Sequence, residues 1–122
     1  IEIEIDGVLY RMVGDGVMFS TPAGSTAPSS SAGGSIIDPK LSVISIVPLY
    51  PFYSKSKPMV VPADKRIAVT VRGGDCALIV DGHAGDYFKS DTRFEVEKGK
   101  PVKVIVFEEQ NFYKRVKNTL LE

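Results

Sequence analysis

The chain has 122 residues, 43% of them apolar, with fifteen basic and fifteen acidic side chains and a formal net charge of zero. That length buries one ordinary core and not two, and the even charge argues against a nucleic-acid surface or a polybasic membrane anchor as the main function. No apolar run approaches the roughly 20 residues that span a bilayer, no basic-then-apolar leader opens the chain, one cysteine makes no internal disulfide and one histidine no zinc cluster, so a single soluble, cytoplasmic domain is expected.

Ile1, Ile3 and Ile5 alternate with Glu2, Glu4 and Asp6, which gives a strand one apolar and one acidic face. Asp6-Gly7 is a two-residue turn into a second strand, Val8 to Met12, so the chain opens on a hairpin. Gly16 to Ser20 predicts a third strand, stopped at Thr21-Pro22 because proline biases the residue before it toward extended backbone. Gly24-Ser25-Thr26 follows, and either hydroxyl can cap a short helix through Ala27, Pro28 and the serines to Ala32. Pro28 fits only the first turn of that helix, and Gly33-Gly34 ends it. A helix start presents unpaired N–H groups and a positive dipole end, and small hydroxyl residues let a polar ligand approach the main chain closely. Taken alone, Ser-Ser-Ser-Ala-Gly-Gly is more simply an exposed loop; its ordered surroundings favour a binding surface.

Further strands are predicted at Val43 to Val47, Met59 to Val61, Arg66 to Val71, Ala77 to Val80, Tyr87 to Phe88, Arg93 to Val96 and Val102 to Phe107. Many short strands punctuated by Gly and Pro indicate a mainly β domain, a sandwich or barrel. Between Pro48 and Pro58 lie Tyr50, Phe52, Tyr53, Lys55 and Lys57; cations among aromatics can bind single-stranded nucleic acid, but the neutral charge favours a proline-stiffened connector whose aromatics cover a core edge. Gly73-Gly74-Asp75-Cys76 reads as a hairpin turn between two strands, with Cys76 a small buried hydrophobe. Over Gln110 to Leu121, helical spacing sets Phe112, Val116 and Leu120 on one face, a packing helix.

The run Gly14-Asp15-Gly16, three apolar residues, Ser20-Thr21-Pro22-Ala23-Gly24-Ser25-Thr26-Ala27, then Ser31-Ala32-Gly33-Gly34 and Pro39, closely resembles the hallmark of the NAD kinase family. Fainter echoes follow in Lys57-Pro58-Met59-Val60-Val61-Pro62 and Asp81-Gly82-His83, so the resemblance covers most of the chain. It implies a β-sandwich C-terminal domain with a short helix after the Gly-Ser-Thr turn and a C-terminal helix. It also implies NAD contacts at Asp15, Thr26, Ala27, Pro28, Ser29, Ser30, Ser31 and His83. The Thr26 and Ser31 hydroxyls and the Ala27 backbone are expected to fix the dinucleotide, with Asp15 accepting from a ribose or amide group; the plainer role of Asp15 is a turn former between strands.

The chain departs from the family pattern at Pro28, which replaces a Tyr and removes an aromatic face, and at Val13, which replaces a cation. His83 stands where the family has Gln, which keeps hydrogen bonding but ties it to pH. The family's Gly-Gly-Asp-Gly and Asn-Glu motifs do not occur, and the chain begins at Ile1, so a preceding α/β catalytic domain is expected to be absent and this chain alone to be inactive. For the complete protein the resemblance implies phosphoryl transfer from ATP or polyphosphate, with Mg²⁺, to the 2′-hydroxyl of the adenosine ribose of NAD. It further implies a homodimer or homotetramer in which a neighbour completes the NAD site. The rivals are a lipid-kinase-like domain, whose usual motifs lack the Ser-Thr-Pro string, and a non-catalytic nucleotide-sensing or oligomerisation module.

Overall fold

The computed structural model describes residues 1–52, 55–107 and 111–121. The opening alternation forms the predicted hairpin: β1 (Glu2–Ile5) and β2 (Val8–Arg11) pair antiparallel through Asp6-Gly7, both at positive φ, the geometry of a two-residue type I′ turn. A four-stranded antiparallel sheet of order β2-β1-β6-β9 is completed by β6 (Ile67–Thr70) and β9 (Arg93–Val96). A second sheet has the order β3-β4-β5, from β3 (Gly16–Ser20), β4 (Val43–Leu49) and β5 (Met59–Pro62).

The inward faces of the two sheets share one core. Ile3, Ile67 and Val69 from the first meet Ile44 and Ile46 from the second, with Val17, Phe19, Met59, Val61, Phe94 and Val96 packed around them. The β-sandwich expectation therefore holds. Period-2 alternation explains both contributions, because every second side chain leaves the same side of its sheet.

Several local expectations are corrected. The Gly73-Gly74 segment is not a hairpin turn: β6 takes β1 and β9 as neighbours, so the segment crosses over to a separate hairpin, β7 (Cys76–Val80) with β8 (His83–Phe88). The turn of that hairpin is Asp81-Gly82, again both at positive φ, and its strand extends the predicted Tyr87–Phe88 back to His83. Cys76 is half-buried rather than buried. Val102 to Phe107 forms no strand; it runs without a sheet partner among the described residues, and Phe107 is 96% exposed. Apolar pattern alone cannot supply a neighbouring edge. Tyr50 and Phe52 are exposed rather than laid over the core, while Pro48 sits buried inside β4; Tyr53 lies outside the described residues.

The C-terminal helix, α2 (Phe112–Val116), is shorter than predicted and continues as a π turn over Lys117–Leu121; Gln110 lies outside the described residues. Asn111 caps it, its Oδ1 accepting the N–H groups of Tyr113 at 2.9 Å and Lys114 at 3.2 Å. Phe112 and Val116 are half-buried, and Leu120 is exposed.

The outer face of the four-stranded sheet is laced with ion pairs. Glu2 lies between Arg11 at 3.1 Å and Arg72 at 2.9 Å, and Asp6 takes the Lys65 ammonium at 2.8 Å together with the Arg66 N–H. Arg11 first and Arg72 next hold the Glu2 carboxyl below the usual range, and Lys65 with the Arg66 amide does the same for Asp6. A carboxyl depressed by folding stabilises above its unfolded value, and that contribution is lost as pH falls through the folded one. The thermal midpoint should therefore drop on acidification from about pH 5 to about pH 3, and Glu2→Gln should flatten part of that slope. The drop is modest because these pairs face solvent. A midpoint unchanged across the range would contradict this assignment.

Candidate functional site

Strand β4 is buried on both faces. Ile44 and Ile46 point into the sandwich, while Ser45 and Val47 on the other side are equally enclosed. What covers Val47 is the segment leaving β3. Thr21 accepts the Gly24 N–H at 3.2 Å, Ala23–Thr26 makes one 3₁₀ turn, and α1 (Pro28–Ser31) follows as a single turn of α-helix. The segment folds back over the sheet, so that Gly34 packs on Ser29 and on Val47. Ser20 and Ser45 face each other across β3 and β4, and small side chains there let the covering backbone come close.

The end of α1 is made as the glycines predict. Gly33 takes φ +87°, its N–H reaches the Ser30 carbonyl at 3.0 Å, and the Gly34 N–H reaches the Ser29 carbonyl at 2.8 Å, the paired bonds of a Schellman cap. The start differs. Neither Ser25 nor Thr26 caps the helix; Ala27 occupies the cap position with no side-chain bond. Four residues with Pro28 at the front sum few peptide dipoles and remove one N–H, so the expected positive helix end is weak here. The surface consists instead of hydroxyls and exposed main chain.

The predicted residues fall into three places. Asp15 stands just before β3, its side chain exposed and its N–H bonded to the Leu49 carbonyl at 3.0 Å. Gly14 makes that clasp possible, because a Cβ there would lie 2.8 Å from the Leu49 carbonyl oxygen and 3.1 Å from the Pro51 Cα. Thr26 and Ser30 are half-buried, Ala27, Pro28 and Ser31 are exposed, and Ser29 is fully buried, so Ser29 forms the floor of this surface rather than its face. His83 is on the β7–β8 hairpin, exposed, with its Nδ1 3.1 Å from the Asp81 carbonyl of its own turn. Among the described residues no hydrogen bond joins it to the other seven.

Two residues contribute in ways that sequence does not indicate. Ser25 proves fully buried and hydrogen-bonded at both ends of the segment. Asp38, at the segment's far end, accepts the Tyr113 hydroxyl of α2 at 2.6 Å and the Lys40 N–H at 2.8 Å. Those two donors, Tyr113 foremost, hold the Asp38 carboxyl below its usual range, and the same contact raises the Tyr113 hydroxyl. Both lie inside the Gly14–Pro39 string; Ser25 there also reads as a helix cap, while Asp38 carries no further signal. Asp75 of the Gly73-Gly74-Asp75 segment is engaged with Lys89 at 2.9 Å and the Ser90 N–H, a structural role.

A cavity of about 490 Å³ opens elsewhere, along the four-stranded sheet, lined by Glu4, Lys65, Arg93 and Glu95 among others. Its Glu4–Arg93 and Lys65–Asp6 pairs already neutralise one another, and none of the predicted contact residues borders it. The motif surface is therefore the better candidate.

Residues 1–107 match the model of the ATP-NAD kinase C-terminal domain. The chain belongs to the NAD kinase family. It is 37% identical over 118 residues to the NAD kinase of Methanosarcina mazei, covering 94% of this chain and 41% of that one, and 38% identical over 124 residues to an NAD kinase of Clostridium botulinum, covering 98% and 44%. It thus spans less than half the length of these NAD kinases. Among solved structures, yeast NADH kinase complexed with NADH superposes with a TM-score of 0.85 at 31% identity, over 98% of this chain and 36% of that one. An Archaeoglobus fulgidus NAD kinase in complex with ATP gives a TM-score of 0.70 at 29% identity, over 81% and 39%.

Proposed function

We propose that this chain is the C-terminal, NAD-contacting and oligomerising domain of a cytoplasmic NAD kinase that makes NADP. The likeness to a kinase solved with NADH over 98% of this chain is the observation that carries the proposal. Asp15 and the run Thr26, Ala27, Pro28, Ser29, Ser30 and Ser31 hold the dinucleotide, Ser29 from beneath. His83 reaches a site through a second copy of the chain, which accounts for its separation from the others.

In the complete protein the ribose 2′-oxygen attacks the terminal phosphorus of ATP or polyphosphate, the bridging oxygen leaves with the donor, and the hydroxyl proton passes to a base. Such transfer depends mainly on placement and on offsetting charge, and this chain supplies placement. Mg²⁺ and the donor are assigned to the remainder of the protein; among the described residues no three His, Cys, Asp or Glu side chains gather to hold a metal ion. Likewise no helix described is long and apolar enough to cross a membrane.

Calorimetric titration of the 122-residue chain with NAD, with ATP as control and light scattering for mass, tests the proposal. Heat with NAD, none with ATP and a mass above one chain are expected. A folded chain that takes up no NAD at any mass would overturn NAD contact as this domain's own property.

A further inference from the structure

Four serine hydroxyls are enclosed outside the common core, and they do not behave alike. The hydroxyls of Ser20, Ser29 and Ser45 have no hydrogen-bond partner among the described residues. Ser25 differs. Fully buried, it donates its hydroxyl to the Pro22 carbonyl at 2.6 Å and accepts the N–H of Ile37, itself buried, at 3.0 Å. One oxygen thus joins Pro22, where the chain leaves β3, to Ile37, twelve residues beyond Ser25 itself. Everything the proposed function assigns to dinucleotide contact on this segment, Thr26 to Ser31, lies between those two points.

We infer that Ser25 is a positioning residue: its hydroxyl closes the Thr26–Ile36 loop and so sets where the dinucleotide-facing main chain stands. This role rests on the NAD reading given above. The physical basis is the directionality of the two bonds. A hydroxyl can donate and accept at once, alanine can do neither, and a thiol does both weakly. Without it the Ile37 N–H stays buried and unpaired, and the Gly33-Gly34 cap and the Gly34 packing on Val47 fix the end of α1 but leave the Ile37 end of the loop untied to the exit of β3.

The test is NMR of the ¹⁵N-labelled chain, following amide exchange and NAD titration in the wild type, Ser25→Ala, Ser25→Cys and Ile67→Val. Ile67 lies in the opposite sheet, so Ile67→Val lowers stability without touching the segment. Ser25→Ala and Ser25→Cys should each expose the Ile37 amide to fast exchange and weaken NAD binding about tenfold, with Ile46 and Ile67 amides still slow. Ile67→Val should keep NAD affinity within about twofold of the wild type. Should Ser25→Ala fail to fold, Ser25→Cys, closer in shape, decides. Unchanged affinity in a folded Ser25 variant overturns the positioning role, whether or not the Ile37 amide is released, and so does an equal loss in Ile67→Val. A wild type without any NAD-dependent shift shows instead that the NAD reading itself has failed and takes the positioning role with it.

Discussion

Gly34→Ala is expected to destabilise the domain by about 1–3 kcal/mol and to weaken NAD binding with it, because the added methyl has no room. Its Cβ would lie 2.6 Å from the Ser29 hydroxyl, 2.7 Å from the Ser29 carbonyl oxygen and 2.9 Å from a Val47 methyl. The hydroxyl can rotate away, but the carbonyl is main chain and Val47 is a β-branched, fully buried side chain on the central strand. Relief must therefore come from lifting Ser29 and the end of α1, which also breaks the Gly34 N–H bond to the Ser29 carbonyl. Gly74→Ala is the control, since a Cβ there meets nothing within 4 Å. Urea unfolding of both variants measures the effect. If Gly34→Ala unfolds at the wild-type midpoint, the close packing of α1 on β4 is not as described.

Asp15→Ala should leave unfolding near the wild-type midpoint while lowering NAD affinity about 10- to 100-fold, the loss of one hydrogen bond to a charged group. Stability is spared because the Asp15 side chain is exposed and has no hydrogen-bond partner among the described residues. The local fold depends on its main chain and on Gly14. Asp15→Asn, which keeps an acceptor and loses the charge, should fall between. The two curves separate the alternatives: a pure turn former would lose stability and keep affinity, so unchanged NAD binding would remove Asp15 from the contact set.

Much of this architecture was legible because it is local. The Ile1-Ile3-Ile5 alternation and the Asp6-Gly7 turn concern neighbours along the chain, and strand period and positive φ are properties a short stretch already possesses. The same holds for Gly33 at the end of α1. The Gly14–Pro39 string was legible for a different reason: its order of glycines, hydroxyls and prolines resembles one family closely enough to imply the fold that residues 1–107 then matched.

The larger misreadings depended on partners outside the stretch being read. Gly73-Gly74 looked like a hairpin turn because strand-like residues flank it, yet β6 pairs with β1, about 65 positions earlier, and with β9 beyond the intervening hairpin. Val102 to Phe107 has the composition of a strand, yet among the described residues it pairs with none of the sheet edges. Ser25 was indistinguishable from a helix cap until the Ile37 amide arrived beside it. By itself, then, the sequence determined which residues extend, which turn and which face of each strand is apolar, because backbone sterics and side-chain alternation act over a few residues. Only the tertiary structure decided which faces meet, which edges stay open and which hydroxyl bears the loop. Those outcomes depend on hydrogen bonds and burial between segments that the chain order keeps apart.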